Sequence, residues 1–270
     1  MTASLLAPVV QPALDAVHAL VLGVVEGITE FLPISSTAHL ILASRALRLP
    51  ETEFLKSFEI IIQLGAILSV VVLYFRKFLN VEVLKKLVVA VIPTGVIGLT
   101  VYKVIKGYLL GNVAVVLCTL LIGGIALLLF ARFQRRGDVP DRDVDFSEIT
   151  YKRAFLIGLF QAIAVIPGVS RSAATIVGGS LLGVSKRTIV EFSFMLAVPT
   201  MLAASGLELM KNRSALSGHM SVLAIGFVVS FITAILAIKS FLGYIKNRDF
   251  SLFGWYRIAL AIVYYVAFLR

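Results

Sequence analysis

Charge is what this chain has little of. Only 15% of its residues are Asp, Glu, Lys or Arg, against 59% hydrophobic, and its mean hydropathy is +0.99. Such values exclude an ordinary water-soluble domain. Cysteine is nearly missing as well: Cys118 is the only one, which excludes an intrachain disulfide and a thiolate metal cluster. Set within the apolar run "VVLCTLLIGG", it reads as a small buried hydrophobe. Acidic residues are the scarcer sign, and the net charge is +10. The basic excess lies in short connectors and not in a domain of its own, so it suits anionic membrane lipids and no nucleic acid. The N-terminus lacks the basic-then-apolar order of a cleaved signal peptide, so the mature chain is expected to begin near Met1.

Long apolar runs are abundant. Leu55–Phe75, Leu84–Val104, Val113–Phe130, Phe192–Met210, Val222–Phe241 and Leu252–Leu269 reach or approach the roughly 20 residues a helix needs to cross a bilayer. The expected class is an all-α polytopic membrane protein with six transmembrane helices. If Leu55–Phe75 runs outside to inside, it delivers Arg76, Lys77, Lys85 and Lys86 to the cytoplasm. The following spans bring Arg132, Arg135, Arg136, Arg142, Lys152 and Arg153 to the same side, and Lys186, Arg187, Lys246 and Arg248 join them. Fewer basic residues (Arg45, Arg48, Lys56, Lys103, Lys106, Lys211, Arg213 and Arg270) are left outside, as the positive-inside rule favours.

The chain also repeats itself. "LGVVEGITEFLPISSTAH" from Leu22 lines up with "IGLFQAIAVIPGVSRSAAT" from Ile157, matching Gly23 to Gly158, Glu26 to Gln161, Pro33 to Pro167 and Ser36 to Ser170. Glu59 and Glu191 fall at equivalent places further on. The reading is one membrane domain over 1–270, with inverted repeats at about 17–131 and 154–269 and a cytoplasmic connector over 132–153. Val17–Leu49 and Ala154–Gly183, broken by Pro and Ser, are then two re-entrant helical hairpins entering from opposite faces and meeting near mid-membrane.

Polar groups in those hairpins require an explanation, because they are costly in hydrocarbon unless they face one another, water, an ion or a substrate. In "PGVSRSAAT", Pro167 and Gly168 mark a break. Ser170, Arg171, Ser172 and Thr175 then open an apolar helix. Unpaired N–H groups at a helix N-terminus, hydroxyl donors and a guanidinium fork together suit a phosphate. An ordinary capped helix with a snorkelling arginine is the plain alternative. In "EGITEFLPISSTAH", Glu26 and Glu30 are four apart and share a helix face. Their repulsion calls for Arg171, a shared proton or a divalent cation, Mg²⁺ or Ca²⁺, as compensation. Ser35, Ser36 and Thr37 follow. His39 lies one helical turn after Ser36, placing a candidate base beside a candidate nucleophile. His18 and His219 read as bystanders, and Glu59 and Glu191 as either helix-fixing contacts or cavity lining. Tyr102, Trp255 and Tyr256 fit interfacial anchoring. Gly123–Gly124 and Gly178–Gly179 fit close helix packing.

These two motifs and the surrounding hydropathy resemble the undecaprenyl-diphosphate phosphatases of the bacitracin-resistance type, over roughly residues 15–270. The resemblance implies removal of the terminal phosphate of a C55 isoprenoid diphosphate, dependence on a divalent cation, and a homodimer. It also implies a bacterial plasma membrane location with the site open to the outer side. By the same resemblance, Ser36, His39, Glu30 and Arg171 are candidate catalytic residues. Gly168, Ser170, Arg171, Ser172, Thr175, Ser35 and Thr37 are candidate phosphate ligands, and Glu26 and Glu30 candidate metal ligands. Ser36 is favoured over His39 as nucleophile, with His39 assisting its deprotonation. The competing reading is a prenyl-phosphate transporter or flippase, which would need the anion site without the Ser36–His39 pair.

Overall fold

The computed structural model describes residues 14–104, 108–109, 111–134, 144–211 and 218–270. Lys106, Arg135, Arg136, Arg142 and Arg213 lie outside the described residues, as do the side chains of Tyr102, Lys103 and Lys211. Among the described residues the chain has helices and no strand. They are α1 (Ala16–Thr29), α2 (Ser36–Ala46), α3 (Glu53–Leu73), α4 (Phe75–Phe78), α5 (Val81–Val104), α6 (Val113–Gln134), α7 (Tyr151–Ala162), α8 (Arg171–Leu181), α9 (Lys186–Lys211), α10 (Met220–Asn247) and α11 (Ser251–Phe268).

Six of these, α3, α5, α6, α9, α10 and α11, are long and apolar enough to cross a membrane. They match the six apolar runs, but several start earlier. Lys186, Arg187 and Glu191 interrupt hydropathy without interrupting a helix, so α9 opens at Lys186 rather than at Phe192. Starts are fixed by side-chain oxygens that accept otherwise orphaned N–H groups. Asp15 accepts from Val17 and His18 at 2.9 and 3.0 Å, Thr52 from Leu55 at 3.1 Å and Thr150 from Arg153 at 3.2 Å.

The two broken segments are α1–α2 and α7–α8. Each begins as a short helix, breaks at a proline-containing turn and restarts with serine as the N-cap: Ser35 for α2 and Ser170 for α8. Their packing is reciprocal. The helix α1 packs on α10, α7 on α5, α3 on α9, and α6 on α11. Thr94 donates to the carbonyl of Gly158 at 2.9 Å, while Thr233 reaches the carbonyl of Gly23 at 3.4 Å. The aligned glycines of the two halves thus receive the same kind of bond from a threonine of the other half.

The centre of the bundle is α9 and α3, whose spans are 61% and 50% buried against 28% for α5, α10 and α11. Aromatic rings fill the space beneath the first break. Phe31 meets Phe194 edge-on at 5.4 Å, and Phe241 meets Phe253 edge-on at 5.3 Å. Large apolar side chains such as Leu99, Ile122, Leu129 and Val263 face outward, as lipid contact requires. Cys118 faces outward too. The expectation of a buried cysteine is corrected: Val116, Leu117 and Leu120 take the inward positions of α6.

The basic connectors gather at one end. Lys77 pairs with Glu191, Lys86 donates to Phe146 O at 2.8 Å, Glu148 accepts from Ser185 N at 2.7 Å and Lys186 reaches Arg248 O at 3.4 Å. Glu191 is thus an ion-pair residue at that end, whereas Glu59 accepts from Ser44 at 3.2 Å. His18 closes the α1 capping box, and His219 stacks on Phe54 at 4.1 Å, both structural places.

Close approach at Gly27 sets how α1 seats on α10. A Cβ there would lie 2.0 Å from Thr233 Oγ1 and 2.5 Å from the carbonyl of Ser230. Gly27→Val is expected to destabilise the protein by about 1–3 kcal/mol through overpacking, read as a lower unfolding temperature in detergent. An unchanged temperature would mean that α1 is not seated on α10 as described.

Candidate active site

The breaks of the two hairpins meet. Ser172 Oγ, in the first turn of α8, donates to the carbonyl of Phe31 at 2.8 Å. Beside it, Arg171 Nη2 donates to Glu30 Oε1 at 2.8 Å, forming an ion pair with side chains only 13% and 5% exposed. The other arm of the fork, Nη1, donates to the carbonyl of Ser193 in α9 at 2.7 Å. Thr175 Oγ1 and Ser193 Oγ lie 2.6 Å apart, and Thr175 also donates to Arg171 O at 3.0 Å. The guanidinium of α8 is held between the C-cap of α1 and α9.

Ser36 Oγ donates to the second oxygen of the Glu30 carboxylate, Oε2. One carboxylate therefore holds the serine hydroxyl on one oxygen and Arg171 on the other. Ser36 is the first residue of α2, so its backbone N–H points out of the helix start. The preceding residue, Ser35, adopts φ 72°, a left-handed conformation that a non-glycine residue takes at some cost and that concentrates at functional sites. Its hydroxyl caps Ala38 N at 3.4 Å.

His39 is placed differently from the expectation. Its Nδ1 lies 2.7 Å from the carbonyl of Ser35 and its Nε2 2.8 Å from the hydroxyl of Tyr256 in α11. A carbonyl can only accept, so Nδ1 carries the proton, and in the neutral ring Nε2 accepts from Tyr256. Both nitrogens are thus engaged away from Ser36, whose hydroxyl is held by Glu30. Tyr256, read as an interfacial anchor, uses its hydroxyl to orient this ring.

Several expected phosphate ligands are engaged in scaffolding. Ser170 caps Ala173 N at 3.1 Å, Ser172 holds Phe31 O, and Thr175 holds Arg171 O and Ser193. Thr37 is exposed and outside this network. Gly168 has φ +88°, and a Cβ on it would lie 1.9 Å from Thr119 Oγ1. Glycine is required there by the approach of the break to α6, whose Thr119 Oγ1 also donates to Pro167 O at 2.8 Å.

Three buried side-chain atoms on Glu26 and Arg171 are left without hydrogen-bond partners. Both carboxylate oxygens of Glu26 and the Nε of Arg171 are buried with no hydrogen-bond partner among the described residues. Glu26 is fully buried, and the charges acting on it are those of Glu30, Glu59 and Arg171. Unsatisfied buried polar atoms are rare in folded proteins and need an explanation. A phosphate oxygen would satisfy the arginine N–H. A hard divalent cation would satisfy paired carboxylates, with phosphate and water oxygens completing its shell. Among the described residues no group of three or more His, Cys, Asp or Glu side chains is placed to hold a metal ion, so Glu26 and Glu30 by themselves offer two carboxylates and not a complete cage.

Sequence reasoning missed Arg257 of α11. It is 1% exposed and donates to Gly168 O at 2.9 Å, Thr119 O at 3.0 Å, Pro33 O at 3.4 Å and Leu120 O at 3.4 Å. A lone arginine in the apolar "WYRIALAIVYY" was the available signal. Alongside the site, an apolar groove of about 450 Å³ is lined by Ile28, Leu32, Leu236, Phe241 and Phe253, among others. Ile28 and Leu32 flank Glu30 in the chain.

Comparison with known proteins finds relatives over nearly the whole chain. The family model described as bacitracin resistance protein BacA matches residues 19–263. The undecaprenyl-diphosphatase of Aquifex aeolicus (strain VF5) is 50% identical over 259 residues, covering 93% of this chain and 98% of that protein. That of Sulfurihydrogenibium sp. (strain YO3AOP1) is 49% identical over 254 residues, covering 94% and 99%. That of Persephonella marina (strain DSM 14350 / EX-H1) is 45% identical over 254 residues, covering 92% and 97%.

Proposed function

The chain belongs to the bacitracin resistance protein BacA family, and from that premise we propose how its buried site acts as an undecaprenyl-diphosphatase. The enzyme hydrolyses undecaprenyl diphosphate to the monophosphate and inorganic phosphate. The observation that carries the mechanism is the Ser36–Glu30–Arg171 chain, with a nucleophile, a proton acceptor and an anion-binding fork in direct contact.

The diphosphate head enters between the two breaks, while its isoprenoid units lie in the membrane and along the apolar groove beside Leu32. Arg171 turns a donor from Glu30 to the terminal phosphate, and its free Nε adds a second. This movement releases Glu30 to take the Ser36 proton. Ser36 Oγ attacks the terminal phosphorus, the bond to the bridging oxygen breaks, and the lipid monophosphate leaves with that bond's electrons. Water then attacks the phosphoserine and passes a proton to a phosphoryl oxygen, the bond to Ser36 Oγ breaks, and inorganic phosphate leaves as the serine oxygen regains its proton from Glu30. The N–H groups at the α8 start and the guanidinium meet the charge that develops on the transferred group. His39, held by Ser35 O and the Tyr256 hydroxyl, orients the start of α2 and does not take the Ser36 proton.

A divalent cation, Mg²⁺ or Ca²⁺, would be held by Glu26 and Glu30. When bound it supplies charge neutralisation at the phosphate oxygens. The reading further places the enzyme in the bacterial plasma membrane with its site open to the outer side, as a homodimer whose basic connectors face anionic lipids.

The test is phosphate release from undecaprenyl diphosphate by protein purified in detergent. Turnover is expected, abolished by a chelator and restored by Mg²⁺ or Ca²⁺. Turnover that survives chelation would remove the metal role of Glu26 and Glu30. Binding of the diphosphate with no release would overturn the hydrolase and leave a lipid carrier.

A further inference from the structure

We infer that Arg257 is a positioning residue for this reaction, setting the distance between Ser36 and Arg171 by binding the tips of both hairpins at once. Its four acceptors come from three separate segments: Pro33 in the first break, Gly168 in the second, and Thr119 and Leu120 in α6. Pro33 stands three residues before Ser36, and Gly168 three residues before Arg171. Two of the four carbonyls it holds, Pro33 O and Gly168 O, thus lie one short turn ahead of the residues proposed to act on the substrate.

A planar, permanently charged fork suits this task. Five N–H donors in one rigid plane can bind acceptors on several sides, whereas an ammonium group on a flexible stem cannot span them. Arg257 pairs with no carboxylate among the described residues. All its hydrogen bonds go to backbone carbonyls: Pro33 O and Gly168 O in the two breaks, and Thr119 O and Leu120 O within α6, where they are shared with the helix's own N–H groups. Removing the guanidinium would take this donor from Pro33 O and Gly168 O and let the two breaks move independently. The same helix supplies Tyr256 to His39, so α11 fixes the site from one side through two adjacent residues.

The glycine facing this group allows a second perturbation that leaves its charge in place. A Cβ on Gly123 would lie 2.1 Å from Arg257 Nη2 and 2.6 Å from Cζ. The obstruction is the far end of a flexible side chain and not backbone, so Gly123→Ala should fold while displacing the fork. At Gly95 an added Cβ meets nothing within 4 Å, which makes Gly95→Ala the matched control.

The inference rests on the hydrolase reading, and release by the wild type in the same assay separates failure of one from failure of the other. Steady-state phosphate release from farnesyl diphosphate would be measured for Arg257→Lys, Gly123→Ala, the double variant and Gly95→Ala. A displacement of ~1 Å at reacting groups costs about 10²-fold. The expected result is a fall of that order in kcat for Arg257→Lys, a smaller fall of the same kind for Gly123→Ala, and KM close to wild type in both. The double variant should lose no more than Arg257→Lys alone, because both changes act on one contact. Gly95→Ala should match the wild type. Near-wild-type kcat in Gly123→Ala or in folded Arg257→Lys would overturn the inference. A rise in KM with kcat unchanged would overturn it too, by showing that Arg257 binds substrate directly. If Arg257→Lys does not fold, Gly123→Ala decides.

Discussion

Ser36→Ala is expected to lower kcat by on the order of 10³-fold or more, the scale seen when an enzyme nucleophile is removed, with KM close to wild type. The hydroxyl donates directly to Glu30, and its helix starts at a backbone strained at Ser35, so the oxygen is both activated and aimed. Removing it deletes one small buried group and leaves Glu30 bound to Arg171. Substrate recognition, which rests on Arg171 and the α8 start, should therefore survive. The check is steady-state phosphate release together with binding of the unreacted diphosphate. Substantial turnover in the alanine variant would transfer the nucleophile's role to His39 or to water.

Arg171→Lys is the second large expected loss, about 10²–10³-fold in kcat/KM, the cost of removing a charge-stabilising donor from a preorganised site. The guanidinium holds Glu30 with one arm and Ser193 O with the other while keeping a third N–H free. An ammonium group retains the charge but cannot keep those directions together. Lysine is the more informative substitution, because Arg171→Ala would leave Glu30 buried without its cationic partner, a destabilisation of about 3–5 kcal/mol on top of any catalytic loss. The kinetic comparison should be made at matched unfolding temperature. If the lysine enzyme turned over like the wild type, a single point charge would suffice and the fork would have no role.

The apolar runs made the six long helices legible, and the Pro- and Ser-bearing interruptions marked the two breaks. The contents of the site were legible in part. Glu30, Ser36 and Arg171 announce themselves as polar groups in an apolar setting, and the structure brings them into contact. Which group accepts the hydrogen bond of the Ser36 hydroxyl was legible only as alternatives, His39 or one of the two glutamates. The S-x-x-H spacing points along α2 toward His39, whereas the turn over residues 30–35 folds the Glu30 carboxylate back onto the hydroxyl, a local geometry that helical periodicity does not encode. Arg257 was hidden for a different reason. Its partners are backbone carbonyls of three remote segments, and carbonyls carry no residue identity to pair with. The outward Cys118 shows the same limit in lipid, where the exposed and buried faces of a span such as α6 are equally apolar and hydropathy cannot tell them apart.

The central claim is that the terminal phosphate passes through Ser36. The direct measurement is rapid quenching of wild-type enzyme in denaturing detergent at neutral pH, which preserves both phosphoserine and phosphohistidine, with undecaprenyl diphosphate labelled in its terminal phosphate, followed by peptide mapping of protein-bound label. The account predicts label on Ser36 within a single turnover. Label on His39, or full turnover with no protein-bound label at any quench time, would contradict it.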